Sequence, residues 1–339
     1  MIKKLLIILL ALSIFLSSNS VAETLFFTTF DSNSDWFPQT EEEGCSDATC
    51  ISNVPTGWNY YRNDELWHPL TDGAWFNPTL KISNDNYRGA SGKALTVWNE
   101  SNTGRSGDGW GADGILAKDL GSDYQELYVS MYIKFQNGFQ FYASEANSAA
   151  IKMFRAYHWD RTGSPFSFFS GGNSAPIYIY DTSQTTTSFR HFHSYRCDPQ
   201  ETNYSCNPQY DQSYTFPEAP TFVDSLGDGN WHQLGWHIKM NSAPGVADGV
   251  LEFLVDGAIA LARADVIWMG AASPGGLGWN IVAFGGNAYN LFSALENQAE
   301  QWYAIDDISI STTSPWQSRT LHLSPGLGRK ASGTGRFIQ

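Results

Sequence analysis

The clearest structural signal in the chain is GDGNWHQLGWHIKMNSAPGVADGVLEFLVDG, the segment Gly227–Gly257. Within Leu234–Asn241, apolar and polar residues alternate with the period of a strand that is buried on one face. Residues 242–249 are rich in turn formers, and a second apolar strand, Val250–Val255, ends in the tight-turn dipeptide Asp256-Gly257. The segment therefore predicts a β-hairpin that leads into a further turn.

Similar alternation recurs along the chain, with turn-forming residues between the repeats. Aromatic residues make up 15% of the chain and charged residues 16%, which is typical of an all-β protein. We therefore predict an all-β fold, an antiparallel β-sandwich of the jelly-roll type. Strands are expected near residues 24–30, 94–98, 126–135, 149–159, 176–181, 186–196, 231–241, 250–255, 279–284 and 302–310. The predicted core contains Met131, Ile133, Trp236, Ile238, Met240, Leu251, Phe253, Val255 and Ile308.

The hairpin also carries a family resemblance. Its Gly-x-Trp-His, Asp-Gly-x-Leu-Glu and Val-Asp-Gly segments resemble the central hairpin of concanavalin A-like (laminin-G-like) jelly rolls, and among these the secreted polysaccharide lyases. The segments Tyr128–Phe135, Lys152–Arg155 and Trp302–Ile310 fit the same group, so the resemblance covers about half of the chain. It implies a jelly-roll fold and a carbohydrate ligand, and it suggests lyase chemistry.

The chain is predicted to have three parts. Residues 1–22 have two lysines, an apolar run and a small-residue end, which predicts a secretory signal peptide and a secreted or periplasmic location. Residues 23–312 are expected to form one jelly-roll domain, and 313–339 a disordered or loosely attached tail. No later segment is long and apolar enough to predict a membrane span. We expect a monomer.

The four cysteines form two close pairs in the sequence, Cys45 with Cys50 and Cys197 with Cys206. Behind a signal peptide, such pairs favour local disulfides. Three connectivities are open, and proximity favours 45–50 and 197–206. Neither pair has a histidine or cysteine at the spacing of a zinc site.

The formal net charge of −14 argues against a nucleic-acid partner, which would require a basic face. An extracellular polysaccharide is the expected partner. If that polysaccharide is anionic, its site must gather lysines and arginines against the field of the whole protein.

Basic residues fall on consecutive predicted strands: Lys134 in 126–135, and Lys152 and Arg155 in 149–159. Strict alternation places Lys152 and Arg155 on opposite faces of their strand, and neither face is wholly apolar. A buried cation needs a carboxylate partner or an aqueous cleft. We favour a cleft, with a partner carboxylate in the core as the alternative.

The segment Thr185–Arg196, TTTSFRHFHSYR, places His191, His193 and Tyr195 on one face of a strand. Two histidines at this spacing suit acid–base catalysis near neutral pH, or metal binding. An ordinary packed or solvated strand is the alternative.

The chain lacks the Glu-x-Asp-x-Glu triplet of glucanases on this fold and the nucleophile elbow of serine hydrolases. Two functions remain. We favour a lyase that cleaves a uronic-acid polymer by β-elimination, and a non-catalytic, lectin-like carbohydrate-binding protein is the alternative.

In such a lyase, a cation neutralises the uronate carboxylate, a base removes the neighbouring proton and an acid protonates the leaving oxygen. The candidate cations are Arg155, Lys152 and Lys239, and arginine offers a two-point contact. His191 or His193 is the candidate base, and Tyr195 or Tyr180 the candidate acid. Segment 36–110 is rich in tryptophan, and flat aromatic rings can stack on sugars. Further substrate contacts are expected from Lys134, Tyr132, Tyr180, His237, Lys239 and Trp110.

Asp31 follows the first predicted strand and Asp306 lies in the last, and these two strands are often neighbours in jelly rolls. Carboxylates from both ends of the chain are therefore candidate ligands of a structural Ca²⁺. The alternative is that they bond to nearby backbone and stabilise turns. No other cofactor is expected.

Overall fold

The computed structural model describes residues 23–38, 53–63, 78–100, 112–139, 149–166, 175–182, 189–194, 214–215, 227–290 and 300–316. These residues form two antiparallel β-sheets that enclose a common hydrophobic core, which confirms the predicted jelly-roll sandwich. All regular elements in the described ranges are strands.

The back sheet has eight strands. Their order is β13 (Ala258–Val266), β12 (Gly249–Val255), β11 (Trp231–Lys239), β6 (Glu126–Phe135), β15 (Glu300–Ser311), β4 (Ala94–Glu100) and β3 (Leu80–Ser83), and β1 (Thr24–Thr28) also pairs with β15. The first and last strands are therefore neighbours, as predicted.

The front sheet has seven strands. Their order is β10 (Tyr214–Thr215), β9 (Phe189–Ser194), β8 (Ile177–Thr182), β7 (Ala149–Tyr157), β14 (Trp279–Asn290), β5 (Ala112–Tyr124) and β2 (Tyr60–Arg62). Neighbouring strands are mostly far apart in sequence, so long-range pairing defines both sheets.

The core between the sheets is built largely from alternate residues of these strands. Trp236 of β11 pairs in register with Phe253 of β12, and its ring stacks on Phe154 of the front sheet, with 4.1 Å between ring centroids. All the residues predicted for the core are buried except Val255, which is half-buried.

Each sheet also has an outer face. We call the outer face of the front sheet the front face; it carries a second apolar cluster that includes Ile115, Tyr157, Ile179 and Ala283. We call the outer face of the back sheet the back face; Tyr128 and His237 are paired there in register. The two faces lie on opposite sides of the sandwich.

The strands run from Thr24 to Ser311, inside the predicted domain of residues 23–312. The predicted signal peptide lies outside the described residues, and so does the predicted tail beyond Trp316. Trp316 itself packs on the back face beside Tyr128, with 5.8 Å between ring centroids. Within the described part of the chain, no helix has the length and apolarity needed to cross a bilayer.

Five strands, β2, β3, β5, β10 and β13, were not expected from the sequence. The largest omission is β5, a 13-residue strand interrupted by glycines such as Gly121, which has a positive φ of 77°. β13 is largely exposed and includes several alanines, so it lacks the apolar alternation of a half-buried strand.

Candidate functional site

The candidate site is on the front face, where β7 and β14 depart from regular pairing. The register of β7 with β8 shifts between Lys152 and Phe154, and that of β14 with β7 shifts between Phe284 and Ala288. The irregularity in β7 leaves Met153 and Phe154 both in the core and brings Lys152 to the same side as Arg155.

Arg155 occupies the recess formed by these irregularities. Only 2% of its surface is exposed, and its Nη1 donates a hydrogen bond to the Gly285 carbonyl oxygen at 3.1 Å. Gly285 has a φ of 82°, a conformation that favours glycine. The backbone of β14 thus supplies part of the polar environment of a buried guanidinium.

Gly286 allows the close approach of β14 to both basic residues. A Cβ atom at this position would lie 2.6 Å from Arg155 Nη1 and 2.9 Å from Lys152 Cβ. It would also lie 2.5 Å from the Lys152 carbonyl oxygen. The recess therefore requires a residue without a side chain at Gly286.

Tyr157 lies two residues after Arg155, on the same face. Burial raises the pKa of its phenol; the Arg155 charge opposes this rise, whereas Asp119 and Tyr60 add to it. The pKa therefore lies above the usual value for tyrosine, and Tyr157 retains its proton at neutral pH. The phenol can therefore donate a proton but cannot act as a base.

An acidic residue lies at the other end of this group. Asp181 of β8 is only 1% exposed, and it is the register partner of both Lys152 in β7 and Arg190 in β9. Lys152 and Asp181 thus occupy paired positions on adjacent strands at the edge of the recess.

Arg161 and Asp119 lie beside Trp159 and Tyr60, at the border of the apolar cluster on the front face. The Arg161 guanidinium contacts both carboxylate oxygens of Asp119, at 2.5 and 2.9 Å. It also lies 5.9 Å from the Trp159 ring, and Trp159 packs edge-on against Tyr60. These contacts hold the rings of Trp159 and Tyr60 in the cluster that also contains Tyr157.

Four of the predicted substrate-contacting residues are on the opposite side of the molecule. Lys134, Tyr132, His237 and Lys239 belong to β6 and β11 of the back sheet, away from Lys152 and Arg155 in the front sheet. The Arg88 guanidinium lies 3.7 Å from the Tyr132 ring centroid. The predicted residues therefore do not form one groove.

Tyr180 is in the front sheet but faces the core. Its ring is fully buried and lies 4.8 Å from Phe253 and 5.6 Å from Trp236. This position takes it away from the front face and from the proposed acid and substrate-binding roles.

The register gives the positions of both candidate histidines in β9. His191 pairs with Tyr180 and His193 with Tyr178, whereas Phe192 pairs with Ile179 of the front face. Tyr195, Trp110 and the four cysteines Cys45, Cys50, Cys197 and Cys206 lie outside the described residues.

The predicted Ca²⁺ ligands lie near neighbouring strands of the back sheet: Asp306 is in β15, and Asp31 follows β1, which pairs with β15. Asp306 is 2% exposed, and its two oxygens accept backbone N–H bonds from Arg88 at 3.0 Å and Asp307 at 2.8 Å. Asp31 Oδ1 accepts the Lys93 N–H at 3.0 Å. The pKa of Asp306 is raised to about 7. Burial is the largest cause, the backbone hydrogen bonds oppose it, and the charges of Asp307 and Asp31 add to it.

These carboxylates are oxygen donors, the kind that Ca²⁺ prefers, but both Asp306 oxygens and Asp31 Oδ1 bond to nearby backbone, as in the alternative interpretation. The described residues contain no cluster of three or more ligand side chains. The Ca²⁺ site remains a prediction.

Sequence reasoning missed Tyr157, Asp181, Gly285 and Gly286 as site residues. The signal for Tyr157 was present, since it lies at i+2 from Arg155 in one strand. The signal for Gly286 was weaker, because a glycine pair in a strand indicates a bulge but not the side chain it accommodates.

No protein-family model and no curated protein matches the sequence. Solved structures do show similarity of fold. The endo-β-1,4-glucuronan lyase of the fungus Trichoderma reesei is 12% identical with a TM-score of 0.48, over 76% of this chain and 96% of that chain. The marine alginate lyase of Aplysia kurodai is 12% identical with a TM-score of 0.47, over 86% and 100%.

An endo-1,3-β-glucanase of Streptomyces sioyaensis is 13% identical with a TM-score of 0.44, over 88% of this chain and 99% of that chain. A fold alone does not identify a reaction, which depends on the residues of the site.

Proposed function

We propose that the protein is a secreted polysaccharide lyase that cleaves a uronic-acid polymer by β-elimination on the front face. The observation that carries the proposal is the recess at Gly286, where Lys152 and Arg155 come to the same side of β7 with Tyr157 next to them. The predicted signal peptide supports secretion.

Arg155 and Lys152 supply the positive charge that the reaction needs. The proton beside a uronate carboxylate is weakly acidic until the carboxylate charge is neutralised. A guanidinium in a buried recess does this well, because its charge is little screened by water there. Asp181, the register partner of Lys152, places an acidic residue on the neighbouring strand.

Tyr157 is the proposed acid, in place of Tyr180. Its raised pKa keeps the phenol protonated at neutral pH, as an acid must be before the leaving oxygen departs. In the elimination, a base takes the proton beside the carboxylate and the C–H electrons form the new double bond. The C–O bond to the leaving oxygen breaks, and the phenol proton goes to that oxygen.

The base is proposed to be His191 or His193, as neutral imidazole, because Tyr157 is unsuited to that role. Both histidines are in β9, which pairs with β8, the neighbour of β7. Their register partners, Tyr180 and Tyr178, are core residues, and paired residues share a face of a sheet, so the test below decides whether either histidine serves the front face.

The test is to incubate the purified mature protein with glucuronan, alginate and polygalacturonate and to follow the absorbance of the unsaturated product. We expect product from at least one polymer, and its loss in His191→Ala or His193→Ala. Activity that survives both substitutions would overturn the base assignment. No product from any polyuronide, together with binding to a glycan, would favour the lectin-like alternative.

A further inference from the structure

The back face carries a second group of polar and aromatic side chains, far from the recess. His237 bridges two carboxylates from neighbouring strands: its Nε2 lies 2.7 Å from Glu126 Oε1, and its Nδ1 lies 2.8 Å from Glu252 Oε2. Lys239 Nζ lies 3.8 Å from Glu126 Oε2. We call these four residues, together with Tyr128 and Trp316, the back-face cluster.

The cluster contains at least as many acidic as basic side chains. Glu126 and Glu252 are acids, Lys239 is a base, and the His237 ring lies between the two carboxylates, within hydrogen-bonding distance of both. The surface is therefore polar and densely hydrogen-bonding, and it offers no excess of positive charge.

The aromatic members form a corner above this polar surface. The Tyr128 ring lies flat on the His237 ring, with centroids 4.3 Å apart and an interplanar angle of 6°. Trp316 stands beside Tyr128 at an angle of 58°. A Cβ atom at Gly235 would lie 2.5 Å from Trp316 Cζ2, so the glycine allows the indole to sit on the sheet.

Several hydrogen-bonding side chains of the cluster are partly exposed to solvent. The side chains of Glu126, Glu252 and Lys239 are 35%, 31% and 48% exposed. Glu126 Oε1 also accepts a hydrogen bond from the Tyr128 hydroxyl at 3.1 Å, and Glu126 Oε2 is the oxygen near Lys239. A carboxylate oxygen can accept more than one hydrogen bond and an ammonium can donate three, so these partly exposed groups can also bond to a ligand.

We propose that the back-face cluster is a binding site for a neutral glycan chain. Aromatic faces stack on the C–H faces of sugars, and adjacent hydroxyl groups match the carboxylate acceptors and the lysine donor. The cluster has no excess of positive charge to attract a polyuronide, whose carboxylates would meet Glu126 and Glu252. The site thus differs in ligand class from the recess on the front face.

This inference does not rest on the lyase proposal. A binding site on the back face would hold the protein on a neutral polysaccharide whether or not the front face is catalytic. A direct binding measurement therefore tests it without any reference to activity.

The experiment is isothermal titration calorimetry of the full mature protein with cellohexaose and laminarihexaose. We expect at least one to bind the parent, and Trp316→Ala to weaken that binding by at least about tenfold, as for a central aromatic contact. Gly235→Ala should weaken binding similarly, because it displaces the indole without removing it. Circular dichroism checks that each variant is folded.

Phe27→Ala is the matched control, since Phe27 is an aromatic residue on β1 with 61% of its surface exposed. It should bind like the parent. The inference is overturned if neither hexasaccharide binds the parent, or if Trp316→Ala binds as tightly as the parent. An equal loss in Phe27→Ala would also overturn it, because the contact would then be non-specific.

Discussion

Arg155 shows how a single residue depends on the backbone around it. A buried guanidinium is costly unless its donors are satisfied, and here the Gly285 carbonyl accepts from one of them. The sequence indicated that Arg155 was either partnered or in a cleft. It did not indicate that a bulge of the neighbouring strand would form its environment.

Substitution of Gly286 by alanine tests whether this environment matters for activity. The added Cβ would collide with the Arg155 guanidinium and the Lys152 backbone, so both cations must move. We expect product formation to fall by about a hundredfold, the effect of a misplacement on the order of 1 Å.

The measurement is the initial rate on the best polyuronide, with a thermal melt of each variant. Gly275→Ala is the matched control, because the nearest atom to its added Cβ would be 3.9 Å away, at Pro244. An unchanged rate in Gly286→Ala would show that the recess has no part in the reaction.

The stability of the protein should also depend on pH through a second residue, His232. Its ring lies 2.8 Å from Asp256 and 3.3 Å from Asp228. Burial lowers the pKa of His232, but the two carboxylates outweigh this and raise it above its usual value. The stabilisation is therefore fully present below the unfolded-state pKa and is lost as the pH rises through the folded-state pKa.

The measurement is the melting temperature of the parent and of His232→Asn across the pH range. We expect the parent to be the more stable at about pH 5.5, where the unfolded histidine is already mostly protonated, and the difference to shrink above neutral pH. A difference that grows towards alkaline pH would contradict the assignment.

At the scale of elements, the hairpin of β11 and β12 followed from the sequence almost residue by residue. Its alternation was regular and its turns contained glycine and aspartate. The sequence did not predict which residues of β7 share a face. Strict alternation placed Lys152 and Arg155 on opposite faces, whereas the irregularity after Lys152 brings them to the same face. A one-residue shift exchanges the faces of a strand, and nothing in the local pattern marks where it occurs.

The hairpin should hold the two sheets together through Trp236. Its ring is fully buried and stacks on Phe154 of the front sheet. We expect Trp236→Ala to lower the free energy of unfolding by about 3–5 kcal/mol, from lost burial and the cavity left behind.

Urea denaturation measures this change, and the exposed Phe27→Ala control should shift stability by no more than about 0.5 kcal/mol. A Trp236→Ala variant as stable as the parent would mean that the hairpin faces the other way.

The meeting of β1 and β15 places the predicted Ca²⁺ ligands. Without a cation, Asp306 stabilises the fold most when protonated, and that contribution is lost as the pH rises through about 7. We expect calcium to raise the melting temperature more at about pH 8 than at about pH 5.5, because binding requires the ionised carboxylate.

Asp306→Asn should abolish the response to calcium. In the presence of a chelator at the higher pH, it should melt above the parent, because the buried charge is gone. If neither calcium nor chelator changes the melting temperature of the parent, the predicted Ca²⁺ site does not exist.

At the scale of the whole molecule, the sandwich separates residues that the sequence placed together. The jelly roll, most of its long strands and nearly all of the predicted core could be derived from period-2 patterns, which are local. The placement of Lys134 and Lys239 on one sheet and of Lys152 and Arg155 on the other could not be derived in this way. It depends on which strands share a sheet. That is fixed by long-range pairing, on which a pattern within one strand carries no information.

The central claim is that the chemistry takes place on the front face. Its most direct test is the formation of unsaturated product by two variants that each remove one cation, Arg155→Met and Lys134→Met. We predict that Lys134→Met, changed on the back face, forms product at the parent's rate, and that Arg155→Met, folded by circular dichroism, forms none. Product from Arg155→Met at the parent's rate, or its loss in Lys134→Met alone, would contradict the claim.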